Sequence, residues 1–192
     1  MPTAADPTLR RLTERVAALL GLPPAGLLEG SAPDAGKVQC VHYVPGQQYG
    51  VHHDCNGMLR RYATCLYYLS DVEEGGETVF PAASDDPAAY AHLTSADAAI
   101  SHFLAPEHQS VGAAHGAVGV VGGGATGGGG VVCRPARGDA IIWYNYDAEG
   151  RLDPRAVHAA MPVRRGEKWA ANHWVTLTPT ELLWQLGDPG SL

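Results

Sequence analysis

The chain has 192 residues, a formal charge of −7 and 45% hydrophobic residues, enough to bury the core of one domain. The negative balance excludes a nucleic-acid surface, which needs clustered Lys and Arg; pairs such as Arg60-Arg61 and Arg164-Arg165 make a local anion site at best. Four cysteines without CxxC spacing exclude a disulfide-held miniature fold and lack the tight pairing of structural zinc sites, which leaves free buried thiols or one or two disulfides.

The first predicted element is an amphipathic helix. Asp6 caps it, Pro7 suits its first position, and Leu9, Leu12, Val16, Leu19 and Leu20 fall on one stripe. Arg10, Arg11, Glu14 and Arg15 interrupt the run, so it is neither a membrane span nor a signal peptide, and no membrane segment is expected in this chain. Gly21 ends the helix, and Pro23 to Gly36 read as loop. From Lys37 the texture changes to short β-branched and aromatic runs: "KVQCVHYV", "YGVHHD", "YATCLYYL", "AIIWYNY" and "WAANHWVTL". Strands this short, with little helix between them, predict an antiparallel sandwich or barrel.

Between Ala82 and Val132 the pattern lapses. "SDDPAAYAHLTSADAAISHFL" has room for one short helix, and "GAVGVVGGGATGGGG" is low-complexity. This stretch reads as an insertion at about 82–132, with His92, His102, His108 and His115 scattered on its surface. "TPTELLWQL" reads as a last helical turn. The expected organisation is a helix and loop over 1–36, the body of the same domain over 37–180 and a tail over 181–192.

The chemistry concentrates in "VHHDC". Alternation along a strand puts His52 and Asp54 on one face and His53 on the other. Two His and one carboxylate hold ferrous iron with three positions open, so this pair needs one more histidine; alone, His-x-Asp arises often by chance and reads first as a solvated corner. His158, in an apolar setting ahead of a turn at "RRGE", is the best third candidate. Ten residues on, Lys168 shares a predicted strand face with Ala170, Asn172 and Trp174. An ammonium there suits a carboxylate in a pocket, or else its stem lies along apolar surface with its head in water.

"HYVPGQQYGVHHD", "RYATCLYYLSDVEEGGETVFP", "RPARGDAIIWYNY" and "VHAAMPVRRGEKWAANHWV" occur in order, and together they resemble the catalytic domain of the prolyl 4-hydroxylases, iron(II)- and 2-oxoglutarate-dependent dioxygenases, closest in wording to the transmembrane branch. The resemblance covers Val38 to about Pro179 apart from the insertion. It implies a mainly β, double-stranded β-helix (jelly-roll) core with flanking helices. It further implies His52, Asp54 and His158 as iron ligands, Lys168 as the anchor of the far carboxylate of 2-oxoglutarate, and Tyr43 and Thr78 as hydroxyls beside it. Trp174 matches a tryptophan near the metal pocket, and Tyr49 and Arg61 match positions linked to peptide binding or turnover, with Tyr62 a further aromatic for the peptide. The implied cofactors are Fe(II), 2-oxoglutarate, O2 and L-ascorbate, and the implied substrate is a proline-containing peptide hydroxylated at C4. The implied compartment is the endoplasmic reticulum or secretory pathway.

The chain departs from the family at Ala159, Ala160 and Met161, where a Gly-Gly-Cys or Gly-Ser-Cys is usual, in its insertion, and in starting almost at the first helix. Two other classes compete with the enzyme. One is a truncated β-helix module that binds peptide or metal without turnover; the other is a cupin-like metal protein, which would have no use for Lys168. Oligomeric state is not readable.

Overall fold

The first helix, α1 (Pro7–Leu20), forms where the sequence places it because both ends are closed. The Asp6 carboxylate accepts from the backbone N–H groups of Thr8 and Leu9, and Gly21, at φ 67°, turns its N–H back onto the Ala17 and Ala18 carbonyls. The computed structural model describes residues 6–29, 37–55, 60–83, 88, 91–104 and 130–177. The Gly-rich run, His108, His115, "TPTELLWQL" and the tail lie outside those residues. Among the described residues no helix is long and apolar enough to cross a membrane.

Among the described residues two further helices, α2 (Pro24–Glu29) and α3 (Ala96–Leu104), accompany ten strands. These are β1 (Gln39–Tyr43), β2 (Tyr49–His52), β3 (Arg61–Tyr68), β4 (Glu74–Gly75), β5 (Thr78–Phe80), β6 (Val131–Cys133), β7 (Ala140–Tyr144), β8 (His158–Ala160), β9 (Val163–Arg165) and β10 (Lys168–Thr176). A major sheet runs β1-β10-β3-β7, a minor sheet runs β2-β8-β5-β6, and β4 pairs with β9. Every pairing is antiparallel. The sheets face each other: Trp143 of the major sheet packs edge-on against Phe80 (5.1 Å) and His158 (4.8 Å) of the minor one. This is the jelly-roll core the sequence leads one to expect.

Each layer has its own packing. Val16, Ala17 and Leu20 of α1 bury themselves against Cys65 and Val175 on the outer face of the major sheet. Ala96 and Ala99 of α3 pack with Val157 behind the minor sheet. Between the sheets lie Leu66, Tyr68 and Ala170. The residues facing inward on β3 and β10 therefore line the interior, and those facing outward meet the helix.

Several expectations need correction. Leu19 is 72% exposed, because the buried stripe of α1 runs through Thr13 and Ala17 instead. Residues Pro24–Glu29, read as loop, are helical: Pro24 takes the first helical position and Leu27 drops into the cluster beneath α1. Val131 and Val132, read as the end of the insertion, belong to β6, whose partner β5 supplies the pairing their short run conceals. All four cysteines are free, with Cys55 and Cys65 buried and Cys40 exposed.

Tyr62 is also displaced from its expected place. The β3–β10 ladder slips there, pairing Ala63 with Val175 but Arg61 with Thr176. The extra residue lets Tyr62 and Ala63 both join the helix-side cluster, which removes Tyr62 from any peptide surface. It also turns Arg61 toward the cavity between the sheets.

Candidate active site

That cavity has a volume of about 480 Å³, and its rim carries the predicted ligand cluster. His52 ends β2 and His158 begins β8, and the two are direct cross-strand partners. Their rings lie 4.2 Å apart. Asp54 reaches the same point although β2 stops at His52; a bend past the strand end, not strand alternation, brings it there. Its Oδ1 lies 3.7 Å from His52 Nε2 and 3.9 Å from His158 Nε2, and the three ligand atoms fall within 4.8 Å of one another.

Neighbouring groups decide which atoms are free to ligate. His52 Nδ1 lies 2.8 Å from the Gly50 carbonyl and His158 Nδ1 lies 2.9 Å from the Ala156 carbonyl. A carbonyl only accepts, so both rings carry their proton on Nδ1 and present a bare Nε2. Burial holds His158 well below the usual imidazole range, which keeps that nitrogen a lone-pair donor at neutral pH. Asp54 Oδ2 accepts from the Thr64 hydroxyl at 2.6 Å. Two imidazole nitrogens and one carboxylate oxygen, all oriented by neighbours, fit a ferrous ion well.

Lys168 lines the same cavity from the first position of β10, with Tyr43 as its direct partner on β1. It is 2% exposed. Its ammonium donates to the Gly76 carbonyl at 2.7 Å and to Thr78 Oγ1 at 3.4 Å, and Thr78 also accepts from the Tyr68 hydroxyl at 2.9 Å. Burial pulls its pKa down to about 8, with Glu77 opposing the shift. A lysine this enclosed, bonded to two oxygens among the described residues, has a third N–H to offer an anion. Gly75, at φ 81°, makes this wall possible: a Cβ there would run into the Pro162 carbonyl where β4 meets β9.

At the open end, Tyr49 is 54% exposed and sets its ring edge-on to His52 at 4.3 Å. Arg61 stacks on Trp174 with its guanidinium carbon 3.6 Å from the ring centre, and its Nη1 donates to the Asp54 carbonyl at 3.1 Å. The cavity thus unites Tyr43, Tyr49, His52, Asp54, Arg61, Thr78, His158, Lys168 and Trp174, and of the residues the resemblance singles out only Tyr62 lies elsewhere. Thr64, Tyr68, Trp143 and Asn145 went unread. "WYNY" carried the only signal for the last two, as an aromatic-polar run.

A jelly roll holding a His–Asp–His cluster and a buried cation in one cavity has the layout of a non-haem iron oxygenase. Residues 38–176 match the 2OG-Fe(II) oxygenase superfamily, and the chain belongs to it. Among named relatives it is 33% identical to probable prolyl 4-hydroxylase 3 of Arabidopsis thaliana over 146 residues, 72% of this chain and 41% of that protein. It is 29% identical to probable prolyl 4-hydroxylase 10 of the same plant over 178 residues, 88% of this chain and 49% of that protein. The chain thus spans less than half the length of these relatives. A truncated form of the viral collagen prolyl hydroxylase vCPH from Paramecium Bursaria Chlorella virus-1 shares the fold, with a TM-score of 0.51 at 21% identity over 93% of this chain and 72% of that one.

Proposed function

We propose that this domain hydroxylates a peptidyl proline at C4, coupled to oxidative decarboxylation of 2-oxoglutarate. One oxygen atom of O2 enters succinate, the other enters the substrate, and CO2 leaves. The observation that carries this reading is the pairing of His52, Asp54 and His158 with the enclosed Lys168 in a single cavity; the named relatives support the choice of proline.

His52 Nε2, His158 Nε2 and Asp54 Oδ1 would hold Fe(II), which supplies the redox chemistry of O2 activation when bound. Lys168 takes the far carboxylate by a charge-assisted bond, with the Thr78 and Tyr43 hydroxyls beside it. Tyr49 and the Arg61–Trp174 stack form the entrance and receive an extended proline-rich segment, whose polyproline II shape is partly preorganised. Ascorbate would serve as the reductant that the metal held by these residues requires.

The test is succinate production by purified protein with ferrous iron, 2-oxoglutarate and ascorbate, with and without proline-rich peptides. Peptide-stimulated succinate and 4-hydroxyproline by mass spectrometry are expected. Asp54→Ala should abolish metal uptake and turnover together, whereas Lys168→Ala should keep the metal and weaken 2-oxoglutarate at least tenfold. Unchanged turnover in Asp54→Ala would rule out the triad. A folded protein that binds iron and 2-oxoglutarate yet forms no succinate would make it a binding module.

A further inference from the structure

Behind the ligand cluster runs a buried hydrogen-bond chain whose far end touches none of the three ligands. We infer that Asn145 is a positioning residue for the metal-binding carboxylate and acts through Thr64; this rests on reading His52, Asp54 and His158 as a metal centre. Asn145 and Thr64 are both 0% exposed. Asn145 follows β7 and is fixed through its backbone, donating to the Tyr62 carbonyl at 3.0 Å and accepting from the Asp153 N–H at 3.1 Å.

Chemistry dictates the direction of each bond. Asn145 Nδ2 lies 3.0 Å from the Arg61 carbonyl oxygen, which only accepts, so the amide nitrogen must face that way. The same nitrogen donates to Thr64 Oγ1 at 3.2 Å. The threonine oxygen is thereby an acceptor on that side, and its single proton is aimed at Asp54 Oδ2, 2.6 Å away. That length is characteristic of a hydroxyl donating to a charged carboxylate. With Oδ2 engaged, Oδ1 is the oxygen turned toward His52 and His158.

The chain Asn145→Thr64→Asp54 therefore selects the carboxylate oxygen offered to a cation and fixes the carboxylate plane, favouring ligation through one oxygen. Asn145 Oδ1, by contrast, has no hydrogen-bond partner among the described residues. A buried amide with an unsatisfied oxygen is unfavourable as mere packing, and what it contributes is the direction of its two donors.

The probe is cobalt(II), followed by titration and by its d–d absorption. Thr64→Val removes the hydroxyl at similar shape, and Asn145→Leu removes both donors. Each is expected to weaken cobalt about 10- to 100-fold and to alter the spectrum, and Thr64→Ser should restore both. The double variant should bind no worse than the weaker single one, because both substitutions break one chain.

Thermal unfolding separates support of the fold from support of the ligand. A lower Tm with wild-type cobalt affinity and spectrum in either variant would overturn the inference, and so would effects that multiply in the double variant. If Asn145→Leu does not fold, Asn145→Asp, which keeps the shape and as a carboxylate loses both donors, takes its place in the same measurements. Wild-type protein that takes up no cobalt would instead overturn the metal-centre reading itself, and this inference with it.

Discussion

Lys168 is the residue whose surroundings say most about its work. Burial lowers its pKa to about 8, so without an anion its ammonium becomes neutral in mildly alkaline solution. A bound carboxylate raises that pKa again, so the anion prefers the protonated form. The affinity for 2-oxoglutarate should then be level below about pH 8 and fall roughly tenfold per unit above it. Lys168→Arg, charged throughout, should remove the fall even where it weakens binding, and calorimetric titration across pH 7–10 checks both. At this scale the sequence was legible where chemistry is scarce: His52, Asp54, His158 and Lys168 are unusual on strand faces. Thr64 and Asn145 were not, because a threonine in a strand and an asparagine after one are ordinary, and only the fold shows whom they bond.

Elements were legible in proportion to their length. The strands β3, β7 and β10 offer enough residues for alternation to declare itself, whereas β4, β5, β6, β8 and β9 have three residues or fewer and exist through their partners. The slip at Tyr62 lies beyond sequence reading for a similar reason. It depends on the ladder, yet it alone brings Arg61 to the cavity side of β3. The ribbon of β4 and β9 rests on Gly75, where a side chain meets both positive φ and the Pro162 carbonyl. Gly75→Ala should lower stability by roughly 2–4 kcal/mol, seen in denaturant unfolding. It should also weaken 2-oxoglutarate, since the Gly76 carbonyl that holds Lys168 is the next group along.

For the whole molecule, α1 and the major sheet are joined by a polar contact in an apolar seam. Thr13 Oγ1 donates to the Leu9 carbonyl at 3.1 Å, so it accepts from His173 Nε2 at 3.4 Å, and His173 Nδ1 takes the Tyr67 hydroxyl at 3.1 Å. That pattern needs a neutral ring, and burial lowers the His173 pKa to about 4. The unfolded chain protonates this histidine near pH 6.5 and the folded one resists, so stability should fall as pH drops from about 6.5 toward 4. His173 alone should contribute on the order of 3 kcal/mol to that loss; His53 and His158 act in the same direction. Urea unfolding of His173→Asn should show a shallower decline over that window.

The two sheets also make the protein a gauge of length. His52 and His158 belong to the minor sheet and Lys168 to the major one, so a dicarboxylate gripped at both ends must match the gap between layers. Leu66, Tyr68 and Ala170 are the spacers that set the gap. Oxaloacetate is one methylene shorter than 2-oxoglutarate and 2-oxoadipate one longer, and a mismatch of that size is worth about 1–3 kcal/mol in a fitted pocket. Enlarging Ala170 to Val should move the preference among the three acids while leaving metal uptake alone. The interior that holds the domain together would then also choose the acid it consumes.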